Sequence, residues 1–143
     1  MKSDKSLIEA VFNNNLSEAE RLLNAGANVN CIDEESEQNP LLIAVKNNSL
    51  DMAELLLKNN ADPNINADVL YTLPLIEAVD SSVQIPLYNA KIKKYPFEMI
   101  ELLLKYGADI FLKDKGNESA YDFSDGYNQA AHELFRKHIE QKH

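Results

Sequence analysis

Apolar residues along the chain recur in blocks rather than in simple alternation. Leu7-Ile8-Glu9-Ala10-Val11 returns unchanged as Leu75-Ile76-Glu77-Ala78-Val79, and Leu41-Leu42-Ile43-Ala44-Val45 lies halfway, which sets a period of 34 residues. A second block keeps the same step: Leu22-Leu23-Asn24-Ala25-Gly26-Ala27-Asn28-Val29-Asn30 returns as Leu56-Leu57-Lys58-Asn59-Asn60-Ala61-Asp62-Pro63-Asn64. Its third copy, Leu103-Leu104-Lys105-Tyr106-Gly107-Ala108-Asp109-Ile110-Phe111, comes 47 residues later, so one unit carries a 13-residue insertion. A fixed period of this length marks a stacked repeat array, each unit one supersecondary element.

Within a unit the spacing predicts two helices and a turn. In the second unit Asn39 is placed to cap the first helix and Pro40 to open it, where a missing N–H costs nothing. Leu41, Ala44 and Val45 make an inward stripe. Asn47-Asn48-Ser49 breaks the helix, and Ser49 is expected to cap the next one, whose buried face is Leu50, Ala53, Leu56 and Leu57. Gly26, Asn60 and Gly107 are expected to take the left-handed conformation that ends the second helix of each unit. In the first unit Ser17-Glu18-Ala19-Glu20 reads as a capping box. Helices of about ten residues are marginal alone, so stability must come from stacking. Leu41, Ala44, Leu56, Leu75, Ala78 and Leu103 are the expected core.

Together these residues resemble the ankyrin-repeat family, whose pattern is a hairpin turn, a first helix opened by Pro-Leu, a second helix ending Leu-Leu, and Gly-Ala-Asp-x-Asn. The resemblance implies an all-α solenoid of about four helix–turn–helix units joined by β-hairpin-like turns. The units run at about 1–32, 33–66, 67–113 and 114–143, with the insertion near 83–95 between the two helices of the third. Asn39-Pro40-Leu41-Leu42 and Leu73-Pro74-Leu75-Ile76 stand where the family has Thr-Pro-Leu-His, without its Thr or His. The first two inter-unit turns are one residue longer than the usual pattern. The last unit has Ser119-Ala120-Tyr121-Asp122 at the motif position. Its longer helix presents one face of Tyr127, Ala131, Leu134, Phe135 and Ile139, and Arg136-Lys137-His138 supplies a polar end.

Composition narrows the partners. The 143 residues are 45 % hydrophobic and 26 % charged, which excludes wholesale disorder, collagen and a disulfide scaffold. Nothing approaches the ~20 apolar residues of a membrane span, so a cytoplasmic protein that binds no membrane is expected. The net charge of −9 disfavours nucleic acid and would steer in a basic protein. Cys31 has no partner for an internal disulfide, which fits a reducing compartment.

Candidate chemistry is sparse. His132-Glu133 followed by His138 is not a zinc motif, because a spacing of six sets the imidazoles about 240° apart around a helix rather than on one face. His143 is terminal, Cys31 reads as a buried structural thiol, and there is no glycine-rich phosphate loop. Asp122-Phe123-Ser124-Asp125-Gly126 lacks calcium-loop spacing and reads as a helix end plus a cap for the last helix. No catalytic residue, metal or cofactor is expected.

Three segments invite a binding role. In the resembled family the hairpin tips and first helices build a concave recognition face. The acidic run Asp33-Glu34-Glu35-Ser36-Glu37 falls on one tip, and Asp68-Val69-Leu70-Tyr71 on the next, where apolar side chains would stand exposed. The insertion carries Tyr88, Lys91, Lys93, Lys94 and Tyr95, a possible second patch. The candidate partner-binding set is therefore Glu34, Glu35, Glu37, Asp68, Val69, Leu70, Tyr71, Tyr88, Lys91, Lys93, Lys94 and Tyr95. The resulting expectation is a monomeric, non-catalytic module that binds a basic protein through its concave face. One alternative is an inhibitor of the bacterial immunity or antitoxin type masking a toxin domain. A weaker one is an enzyme, which would need two or more strongly shifted carboxylates sharing a pocket.

Overall fold

The computed structural model describes residues 2–65, 72–88 and 97–142, with side chains to residue 83 in the middle stretch. Among the described residues there are eight helices: α1 (Lys2–Phe12), α2 (Leu16–Asn24), α3 (Pro40–Lys46), α4 (Leu50–Lys58), α5 (Pro74–Tyr88), α6 (Glu98–Lys105), α7 (Ala120–Ser124) and α8 (Gln129–Gln141). Consecutive helices pair as α1/α2, α3/α4, α5/α6 and α7/α8. The first helices stack in one layer, α1 on α3 on α5 on α7, and α2, α4 and α6 stack in a second. All six expected core residues are buried in the seam between these layers. No strand forms among the described residues; the hairpin between α6 and α7 is reduced to one bridge, Lys113 to Ser119.

Local chemistry explains most helix ends. Asn39 accepts the Leu42 amide at 2.8 Å and Pro40 opens α3. Gly26, Asn60 and Gly107 all have positive φ, at 98°, 72° and 92°, and the amide after each closes the turn by returning to Leu22, Leu56 or Leu103. Successive turns are then bolted together by asparagine. Asn30 donates to the Asn60 carbonyl at 3.3 Å and accepts the Asp62 amide at 2.9 Å. Asn64 repeats the arrangement on Gly107 and Asp109, at 2.9 and 2.8 Å. An amide side chain suits this place because it carries its donor and its acceptor on separate atoms.

Five expectations are corrected. Asn15, not Ser17, caps α2: it accepts the Glu18 amide at 3.2 Å, and the Ser17 hydroxyl donates to Asn15 instead. Ser49 occupies the cap of α4 but makes no side-chain capping bond. Residues Leu41 to Val45 are buried all round rather than along a stripe, because α3 is enclosed by α1, α4 and α5. Leu50 opens α4 at the turn, where it stays 37 % exposed, and Met52 takes its place in the buried face. Tyr127 precedes α8 and is exposed, so the buried face of that helix is Ala131, His132 and Phe135.

The third unit differs from the second in its first helix. Helix α5 has 15 residues where α3 has seven. The insertion thus begins as a helical extension through Tyr88 rather than wholly as a connection between helices.

Candidate functional site

The acidic tip is a built loop. The Asp33 amide donates to the Gln38 carbonyl at 2.8 Å, and the Glu37 amide donates back to the Asp33 carbonyl at 2.8 Å. Ser36 donates from both its amide (3.0 Å) and its hydroxyl (2.6 Å) to one Asp33 carboxylate oxygen. These Ser36 bonds hold the Asp33 carboxyl below the usual carboxylate range. Asp33 is thus an internal strut, and Glu34, Glu35 and Glu37 are the carboxylates left exposed.

Backbone geometry adds a second fact. Glu37 sits at φ +56°, in the left-handed region. The corresponding residue of the last tip is Asn117 at φ +64°, just before the Glu118 carbonyl that closes that turn on Asp114. Asn enters this region readily, whereas a longer side chain costs roughly 1–2 kcal/mol there. The tip keeps a glutamate where asparagine or glycine would fold better.

The first-helix layer carries a smaller charged cluster. Lys46 of α3 faces Glu77 of α5, with Asp80 one turn along, and the Tyr127 hydroxyl donates to Asp80 at 2.7 Å. Burial pushes the Glu77 carboxyl up, Lys46 opposes the rise, and Asp80 adds to it. A carboxyl whose pKa is higher folded than unfolded contributes most stability below the unfolded value, and loses it as pH rises through the folded value. Glu77→Gln is therefore expected to stabilise the protein at pH 7, the two melting temperatures converging below about pH 4. Thermal melts across that range check it; a less stable variant at pH 7 would show that pairing with Lys46 outweighs burial.

In the last unit the structure assembles residues that sequence reading kept apart. Ser124 Oγ lies 2.9 Å from His132 Nδ1, and both residues are buried. A serine beside a histidine suggests an activated nucleophile. Here the single hydroxyl proton of Ser124 goes to the Tyr121 carbonyl at 2.8 Å. His132 must then donate from Nδ1, so it orients the serine rather than deprotonating it, and its ring packs tilted against Tyr121, the centroids 4.5 Å apart. The cap of the last helix, expected from the 122–126 segment, comes instead from Asn128, which accepts the Ala131 amide at 3.1 Å. Asn128 also donates to Ser82 Oγ at 2.7 Å, tying the last unit to α5. An asparagine ahead of Gln129-Ala130-Ala131 is a readable cap signal; its second partner, 46 residues away, is not readable from sequence.

Cys31 is half-buried rather than fully buried, its Sγ 3.9 Å from the Asp4 carbonyl. Burial pushes the thiol up to about 11, with the Asp4 carboxylate adding to the rise, so the reactive thiolate is disfavoured. Asp68, Val69, Leu70, Tyr71, Lys91, Lys93, Lys94 and Tyr95 lie outside the described residues, as does the side chain of Tyr88. No group of metal-ligating side chains forms among the described residues, and no helix there is long and apolar enough to cross a membrane. Among the described residues Glu77 is the carboxyl group held above its ordinary range.

Comparison with known proteins agrees with this architecture. No curated protein matches the chain. The crystal structure of the ankyrin repeat domain of Bcl-3, described as a unique member of the IkappaB protein family, superposes with a TM-score of 0.73 at 26 % identity. The match covers 91 % of this chain and 50 % of that one, so the chain spans about half the length of its structural relative. Residues 7–114 match the family pattern of ankyrin repeats in three copies. With that match spanning both repeat motifs and the asparagine-bolted turns, the chain belongs to the ankyrin-repeat family.

Proposed function

We propose that this chain binds a basic protein, with the 33–38 tip as an electrostatic contact. Ankyrin repeats are general protein–protein interaction modules, typically non-catalytic. The observation that carries the finer reading is Glu37, a carboxylate held at φ +56° in a loop already braced by Ser36 and Asp33. Strain of this kind persists where a side chain is wanted for something other than folding. A braced loop also loses little freedom on binding, and its charge acts mainly on the association rate. The net charge of −9 extends the same field over the whole chain.

The test reverses Glu34, Glu35 and Glu37 to lysine together and measures association with a captured partner by stopped flow. The on-rate is expected to fall about tenfold or more at low salt, and the wild-type rate to drop as salt shortens the ~10 Å screening length. The fold should persist, since all three side chains are exposed. An on-rate indifferent to both salt and charge reversal would refute the acidic-tip reading.

A further inference from the structure

The second-helix layer is not packed evenly. Helices α2, α4 and α6 rest on one another, and between α6 and α8 the surface opens. The opening is a groove of about 360 Å³ floored by Leu104 and Leu134 and flanked by Glu101, Lys105, Lys137, His138 and Gln141. A smaller groove of about 190 Å³, lined by Asp109, Ile110, Phe111, Ile139 and Lys142, meets the first at His138. In the wall between them His138 Nε2 is buried with no hydrogen-bond partner, the one such side-chain nitrogen or oxygen among the described residues. A buried polar atom left unpaired costs free energy, and a bound group that pairs with it recovers that cost.

We propose that the α6–α8 groove is a second binding site, taking the C-terminal end of a partner polypeptide: an apolar last side chain on Leu104 and Leu134, and the terminal carboxylate on His138 and Lys137. Three features select this occupant. The volume is at the low end of ligand sites, about right for one or two residues. The floor is aliphatic, and Lys105 and Lys137 outnumber the one carboxylate of the lining, Glu101, in a chain of net charge −9. Neither Lys105 nor Lys137 is paired with a carboxylate among the described residues; Lys105 lies over the Tyr106 ring, 5.8 Å from its centre. Capture of a terminal carboxylate by fixed donors beside a side-chain pocket is a recurring recognition mode. The site lies in the other helix layer from Glu77 and away from the acidic tip, and its chemistry is opposite.

His138 ties this site to pH. The groups facing it are Glu101 and Lys105 of α6, Asp109 of the following turn, and Lys137 and Lys142 of α8 itself. Burial and Lys142 hold the imidazole below its ordinary value, so it is neutral at pH 7 when the groove is empty. A bound carboxylate favours the imidazolium, and by linkage acid must then tighten binding.

N-acetyl-leucine, which carries a carboxylate beside a leucine side chain, is the probe, with uncharged N-acetyl-leucinamide as its control. Titration is followed by NMR on the Leu104 and Leu134 methyls and the His138 ring. The expected result is a saturable response to the acid that strengthens from pH 8 to pH 6 and raises the His138 midpoint, with a markedly weaker response to the amide. His138→Gln should abolish the pH dependence, and Lys137→Gln should weaken binding about twofold or more with the melting temperature unchanged. Equal responses to acid and amide would overturn the carboxylate assignment. No saturation, or shifts scattered away from these three residues, would overturn the site itself. Neither result bears on the acidic tip, which is read out separately by on-rate.

Discussion

Replacing Leu56 with alanine should lower the unfolding free energy by about 2–5 kcal/mol, the cost of deleting a buried leucine and leaving a cavity. Leu56 is fully buried on α4, which packs between α2 and α6, and its carbonyl accepts the Ala61 amide that closes the following turn. Relaxation around the cavity is limited because neighbours press on the site from both sides. In a repeat array each unit is stabilised chiefly by its neighbours, so a defect in an inner unit weakens two interfaces at once. Urea unfolding measures it as a shift in midpoint at constant slope. Leu50→Ala, in the same helix but 37 % exposed, is the matched control and should cost about 1 kcal/mol or less. Equal costs at the two positions would mean that the register assigned to α4 is wrong.

Asn128→Ala is expected to cost about 2–3 kcal/mol, unusually much for one polar side chain. Two losses combine. The cap of α8 goes with the bond to the Ala131 amide, and the contacts to Ser82 Oγ at 2.7 Å and the Val79 carbonyl at 3.4 Å go with the amide nitrogen. Both contacts are buried, so water cannot replace them. Asn128→Ser separates the two, because a serine caps well but is too short to reach α5. It should recover about 1 kcal/mol of the loss. Hydrogen exchange adds a spatial check: the amides of α8 should lose protection while those of α1 and α2 hold theirs. Uniform loss along the chain would show that the last unit is not independently anchored through Asn128.

The lengthened tip, the left-handed helix ends and the buried identity of Leu41, Leu75 and Leu103 are all legible in the linear sequence, since each follows from spacing or from the preferences of one residue type. Errors cluster where a short-range rule had two candidates. Ser17 and Asn15 are both good cap residues, and only the observed start of α2 at Leu16 chooses between them. Tyr127 matches the apolar period of α8, but the helix begins two residues later and leaves it free to reach Asp80.

By itself the sequence determines the repeat, its helix pairs and its core, because a 34-residue period makes every unit obey the same local rules of capping, amphipathic spacing and turn chemistry. Charge and composition likewise need no fold: the net charge of −9 and the acidic run are read directly. What only the tertiary structure decides is how unlike parts meet. The Ser124–His132 pair, the docking of Asn128 on α5, and the unpaired His138 between its two grooves all rest on residues that no periodicity relates, or that differ from unit to unit. The reason is physical: burial and hydrogen-bond satisfaction belong to the packed layers, so a polar group acquires its partner, or lacks one, only once neighbouring helices are in place.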